Sequence, residues 1–319
     1  MRNIFIEAIK ESLAGESNST INSRIAQILP LGKEAIYRRL NGHVNFSLSE
    51  AIEVSKALNI SLDNLYQKTS IRKASFNIKL INVNDPACNY YDRLSDYVHV
   101  FEKMKNSDQS RLRSAYNIMP YSFFIDREVL SKFHLYKWLY LVGAINYKVT
   151  FSEYKIPKDI LNIQRRFREE NQCVKVASFI LARDLFKNFA EDIALFYELE
   201  LIRTEEKAIL KRDLLGILKT IEDTAKAGKY TTGREVYIYL ANIHFDASYT
   251  HFESDNFEMA HFRVFSINGI ESSNPAICNQ TKVWIDSLQN YSTLITKSDS
   301  VHRTLYFEEQ RAIIEQVLE

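Results

Sequence analysis

Cysteine is almost absent from this chain: Cys88, Cys173 and Cys278 are the only three in 319 residues, far apart and odd in number. That excludes a disulfide framework, and no pair has metal-ligand spacing, so all three are expected to be reduced and packed in a core. Glycine and proline are also scarce, at 8 and 5, which excludes loop-dominated and collagen-like architectures. No apolar run approaches the ~20 residues of a membrane span. Residues 1–7 include Glu7 and lack the continuous apolar stretch of a signal peptide. A cytoplasmic protein with no membrane partner is therefore expected. Charge excess is missing too: the formal net charge is +1, so the chain is no indiscriminate polycation. No ~34-residue period recurs, against a tetratricopeptide array. What the chain has in quantity is apolar and aromatic side chains, 46% hydrophobic with 18 Tyr and 19 Phe. That is enough to bury a substantial core, in about two domains of ~150 residues each.

The most specific pattern lies in residues 22–66. Ile25, Ile28 and Leu29 fall at i, i+3 and i+4 and predict a short helix with one apolar face. Pro30-Leu31-Gly32 makes a tight turn. A second helix is predicted over 33–41, with Ile36 and Leu40 inward, Glu34, Arg38 and Asn41 opposite them, and Tyr37 and Ala35 flanking. It is polar and basic outside and held only by its inner side, the character of a helix that can enter a major groove. Asn41-Gly42 ends it, since glycine tolerates the left-handed C′ conformation. Ser47-Leu48-Ser49-Glu50 forms a capping box for a third helix, whose core face is assigned to Leu48, Ile52, Ser55 and Leu58. Ser61 starts another helix carrying Leu62, Leu65 and Tyr66. Ahead of the motif, residues 3–14 form an amphipathic helix with Ile4, Phe5, Ala8, Ile9 and Leu13 on one side.

The run A-I-Y-R-R-L-N-G-H-V-N-F-S-L-S-E-A-I-E-V-S-K-A-L-N-I-S-L-D-N-L-Y resembles the Cro/repressor-type (XRE-like) helix-turn-helix family. The resemblance implies a compact five-helix, lambda-repressor-like domain over residues 1–67 that binds double-stranded DNA, usually as a dimer on a two-fold site. By position it implies base-edge contacts for Lys33, Glu34, Tyr37 and Arg38 and a phosphate contact for Asn22. Asn41, on the outer face, and His43, in the following loop, complete the expected DNA-binding set. The chain departs from the family pattern at several points. Leu40 replaces a frequent Glu, Pro30 stands where Gly is usual, and Phe46 where Pro is usual. His43 and Val44 occupy a loop that often carries Lys or Arg, which lessens counterion release. Residues 1–73 hold 10 Lys/Arg against 7 Asp/Glu, a net of +3 that favours DNA modestly.

Residues 68–74, short, polar and basic, are assigned as a linker. The remainder, 75–319, is expected to be a larger helical α+β region for dimerisation and regulation. Pro86 opens a helix to about residue 105, and 113–124 contains a short extended segment. Asp126 is expected to cap an aromatic helix through Phe133, Tyr136, Trp138 and Tyr140, and Pro157 begins another. Residues 174–202 are predicted as one long helix, paired with 205–227 as a helical hairpin. Residues 236–245 and 257–267 then change to β-branched and aromatic composition and predict an antiparallel hairpin, with Ser254-Asp255-Asn256 as a turn. Helices return over 275–295 and 300–318. The expected fold class is mainly α with a small β component.

Catalytic signatures are lacking. Gly228-Lys229-Tyr230 has Asp223 where a phosphate-binding loop needs glycine, and Tyr230 where it needs Ser or Thr. His244, His251 and His261 lie near Asp246 and Glu253 in the predicted hairpin, but without a known ligand spacing they are assigned to a half-buried sheet, with no metal. The aromatic clusters at 136–140 and 237–239 are assigned to core packing in preference to a ligand pocket. No enzyme activity and no cofactor are expected. The preferred reading is a sequence-specific, bacterial-type transcription regulator that acts as a homodimer, with a possible small-molecule or peptide effector. Two readings stay open: a peptide-sensing regulator with a C-terminal helical array, and an enzyme or protein-interaction domain fused to a helix-turn-helix.

Overall fold

A computed structural model describes residues 4–58, 60–62, 65, 76–78, 85–265 and 268–319. The chain divides into two compact units, Met1–Ser75 and Phe76–Glu319.

The first unit contains α1 (Ile4–Ser12), α2 (Asn18–Ile28), α3 (Lys33–Leu40) and α4 (Leu48–Leu58). Ser17 caps α2 by accepting from the Thr20 amide at 3.3 Å. The core is small and aliphatic: Ile9, Ile21, Ile25, Leu29, Ile36, Leu40 and Val54. Gly42 takes a left-handed φ of 77° just past α3, the conformation glycine permits there. At α4, the Ser47 amide donates to Glu50 at 2.8 Å and the Glu50 amide donates to the Ser47 hydroxyl at 3.3 Å, a reciprocal capping box. The inner face of α4 differs from expectation. Ser55 is buried and Leu58 packs against the core as expected, but Leu48 is 73% exposed and Ile52 is exposed, and Val54 is buried in their place. The inward stripe therefore runs through Val54, Ser55 and Leu58. Of the helix expected from Ser61, only Ser61, Leu62 and Leu65 are described; the rest of it and the 68–74 linker lie outside the described residues.

The second unit is α+β. Its eight strands are β1 (Asn77–Ile78), β2 (Arg111–Tyr116), β3 (Val176–Leu181), β4 (Glu235–Ala241), β5 (Tyr249–Ser254), β6 (Phe257–Phe265), β7 (Asn268–Ser272) and β8 (Ser292–Leu294). They form one sheet in the order β1-β7-β6-β5-β2-β3-β4-β8. The centre, β2-β3-β4, is parallel; the flanking strands pair antiparallel. Helices bridge the parallel strands: α6 (Tyr121–Phe124), α7 (Glu128–Leu141) and α8 (Lys158–Asn171) between β2 and β3, then α9 (Leu185–Glu198) and α10 (Thr204–Ala227) between β3 and β4. These, with α5 (Pro86–Lys105) and α12 (Ser300–Val317), contribute to one large core with Leu112, Phe179, Leu181, Ile238, Leu240 and Phe252 of the sheet. The opposite face packs Ala115, Ile180 and Ala241 against Ile285 and Leu288 of α11 (Pro275–Asn290).

Three expectations are corrected. The mainly helical α+β character is as expected, but the strands make one eight-stranded sheet and not a lone hairpin. The predicted long helix over 174–202 is β3 followed by α9: Ala177, Phe179 and Leu181 face one core while Ile180 faces the other. A strand buried on both faces reads as a continuous apolar run, which periodicity does not separate from a helix. The hairpin is formed by β5 and β6, in register from Tyr249↔Phe262 to Ser254↔Phe257, while residues of the expected first strand form β4, parallel to β3. The cysteines also divide. Cys278 is buried, but Cys88 is exposed and Cys173 half-buried, because Cys88 sits in the first turn of α5, where the Asp85 cap accepts from its amide at 3.1 Å. Among the described residues, no helix is long and apolar enough to cross a membrane.

Candidate nucleic-acid interface

Ile36 and Leu40 anchor α3 in the aliphatic core of the first unit. Everything on its other side faces solvent: Lys33, Glu34, Tyr37 and Arg38 are all exposed, Tyr37 at 55%. Leu29 ends α2, with its amide on the Ile25 carbonyl at 2.9 Å, and the turn to Gly32 sets α3 beside α2. Between the two helices lies an open groove of ≈ 360 Å³ lined by Ser19, Asn22, Ser23, Lys33, Glu34 and Tyr37. Four of the seven residues singled out in the sequence therefore converge on one concavity. Arg38 is exposed on the same helix but does not line it.

Asn41 and His43 are exposed past the end of α3. The Asn41 side-chain amide donates to the Tyr37 carbonyl at 2.9 Å, which closes the helix end. The amides of His43 and Val44 donate to the Arg38 carbonyl at 2.8 and 3.2 Å, which holds the loop tight under α3.

Arg39 matters here although the sequence pattern did not single it out. Its guanidinium forks onto Glu50 of α4, Nε to Oε2 at 3.0 Å and Nη2 to Oε1 at 2.9 Å, and Nη1 donates to the Ala35 carbonyl at 3.2 Å. Paired planar donors of this kind fix geometry as well as charge. The Arg39 hydrogen bond, followed by that of the Ser47 amide, holds the Glu50 carboxyl below its usual range. Glu50 thus caps α4 and ties α3 to it at once. The available signal was the capping-box Glu, with an arginine on the helix before it.

In the second unit, the three histidines of the β-rich segment do not converge. His244 is exposed, 3.9 Å from Asp246. His251 is buried on the α11 face, its Nδ1 3.4 Å from Arg113 Nη1 and its Nε2 3.4 Å from Glu258. His261 lies on the other face of the sheet, its Nε2 2.7 Å from the Tyr97 hydroxyl. The alternation of side chains along paired strands causes the split, since His261 sits opposite Thr250 and not His251. Among the described residues, no group of three His, Cys, Asp or Glu converges as a metal site. Tyr136 and Trp138 are buried in the large core. Tyr237 and Tyr239 are half-buried, set between the inward Val236, Ile238 and Leu240 of the same strand. No family model, no curated protein and no solved structure matches the chain.

Proposed function

We propose that residues 1–67 form a helix-turn-helix domain that binds duplex DNA by sequence, and that residues 75–319 dimerise and regulate it. The observation that carries this reading is the α2–α3 pair, in which Asn22, Lys33, Glu34 and Tyr37 line one groove while Ile36 and Leu40 hold α3 from behind. At 8 residues and 1.5 Å each, α3 is about 12 Å long, close to the ~12 Å width of a major groove. Its outer side offers hydrogen-bonding and cationic groups, and the small core beneath it is closed by the Arg39–Glu50 fork. Among the described residues, the helices of the second unit pack on an eight-stranded sheet as well as on one another, which favours this reading over a peptide-binding helical array.

Phosphate contacts release counterions, so binding falls steeply with salt. The test is a selection of genomic fragments with the full chain, followed by titration of the retained fragment at two salt concentrations. A steep loss of affinity at higher salt is expected. Binding indifferent to salt, or no fragment retained, overturns the proposal.

A further inference from the structure

Side chains alternate between the two faces of a strand, so the register decides what each face of the sheet presents. Tyr249 of β5 pairs with Phe262 of β6, Phe262 with Ile270 of β7, and Ile270 with Ile78 of β1. Tyr249 also stands opposite Ala115 of β2, which packs against Ile285 and Leu288 of α11. This line of residues therefore lies on the α11 face. Ring contacts extend it at both ends. Trp284 of α11 meets Tyr249 edge-on, ring centroids 6.2 Å apart; Tyr249 meets Phe262 at 5.8 Å, and Phe262 meets Phe76, just before β1, at 5.8 Å.

Helix α11 covers only part of this row. Trp284 is 44% exposed, Phe76 42% and Ile78 41%, and Tyr249, Phe262 and Ile270 are half-buried. At 150–250 Å² for a large aromatic side chain, the row leaves roughly 300–500 Å² of apolar surface open to water. None of its six residues is charged. The charged side chains that α11 shares with the sheet gather around Glu253, four residues further along β5, and they engage one another. Glu253 accepts from Lys282 at 2.9 Å and from Arg113, whose Nε lies 3.7 Å from Asp286.

We propose that this row is the centre of a two-fold interface with a second copy of the chain. A two-fold axis sets one patch against its own image, and an uncharged row meets that image without like-charge repulsion. Its size also fits. A standard interface buries about 800 Å² on each partner, and in homodimers ~65% of that, about 500 Å², is apolar. The row supplies most of this apolar centre, in the aromatic side chains that interface centres favour. An uncharged row offers nothing to a phosphate backbone, so duplex DNA is not its occupant. The inference rests on the dimeric reading of the second unit and names the surface that performs it. Self-association is measured without DNA. A monomeric chain that still binds DNA with a steep salt dependence overturns the interface alone, and a dimer through this row that retains no genomic fragment overturns the DNA reading alone.

The chain has two tryptophans, and only one can report on this surface: Trp138 is buried in the large core, while Trp284 stands in the row. The experiment is iodide quenching of tryptophan fluorescence in the full chain over a dilution series, at constant ionic strength, with light scattering at the same concentrations. Twice the chain mass is expected at the concentrated end, with quenching that rises as dilution separates the copies. Ile78→Glu sets a charge in the row at the edge of the sheet, so a dimer would bury two unpaired charges. Self-association should weaken about a hundredfold or more, and iodide should reach Trp284 in this variant more readily than in the parent dimer. The measurement on the unaltered chain holds whether or not the variant folds. A monomer throughout the series, a mass that halves while quenching stays constant, or undiminished self-association of folded Ile78→Glu overturns the proposal.

Discussion

Arg38 and Arg39 are sequence neighbours with opposite surroundings. A turn of about 100° per residue separates their directions, so Arg39 reaches Glu50 while Arg38 is exposed. Under the proposed function, Arg38→Ala should weaken operator binding by ~1–3 kcal/mol if Arg38 forks onto a base, with relaxed preference at one base pair, and leave the melting temperature unchanged. A uniform loss across sequences would instead assign it to phosphate. Ile36→Ala should do the reverse, costing ~2–5 kcal/mol of stability through a cavity in a small core. Thermal melts and binding isotherms on both variants separate the two effects; a melted Arg38→Ala domain, or unchanged operator affinity, would mean that another face of α3 meets the DNA. Glu50 makes a distinct prediction. Its folded pKa lies below the ordinary 4.5, so its stabilising contribution is present above that pH and is lost as pH falls through the folded value. Arg39→Ala should lower the melting temperature at pH 7 and flatten its decline in acid. An acid limb identical to that of the unaltered protein would remove this role.

At the scale of elements, packing rather than local preference decides most of the second unit. The β6–β7 pair depends on Gly269, which lies across from Arg263 and beneath the His261 ring. Gly269→Ala should cost ~1–3 kcal/mol by overpacking and break the Tyr97–His261 bond; an unshifted melting temperature would show that the ring moves aside freely. Two histidines of the sheet, buried His251 and half-buried His261, couple it to pH. Burial, then Arg113, brings His251 down to about 4, and His261 lies at about 3. In the unfolded chain both would titrate near the ordinary 6.5. Their contribution is therefore complete above pH 6.5 and declines as pH falls through the interval down to about 4 and 3. Glu253 extends the decline: burial opposes its charge, but Lys282 and Arg113 hold its pKa at about 2 against an ordinary 4.5. Melting temperature of the full chain should fall steadily from pH 6.5, and a His251→Gln, His261→Gln double variant should flatten the stretch between 6.5 and 4.5. A double variant with the same slope as the parent refutes this linkage.

For the molecule as a whole, the proposed function implies a dimer: a single recognition helix would contact too few bases for tight specific binding, and two half-sites one turn apart would double the contacts. Light scattering should therefore give twice the chain mass; a monomer at micromolar concentration, both free and on DNA, would sink the dimer. The sequence alone was sufficient for features that depend on neighbours within a turn or two. The capping box at Ser47 and Glu50, the left-handed Gly42, the inward pair Ile36 and Leu40, and the turn at Asp255-Asn256 were all legible, because capping, helical period and turn chemistry are local. Legibility stopped where distant segments choose their partners. Val174 to Leu181 reads as helix or strand until β2 and β4 flank it, and β5 is recognised only once β6 and β2 pair with it. The opposite facing of His251 and His261, and the aromatic row from Trp284 to Phe76, likewise arise only when the register of β5 and β6 is set against their neighbours. Strand pairing is a non-local choice, made by which surfaces can be buried together, and a linear pattern carries only half of each such pair.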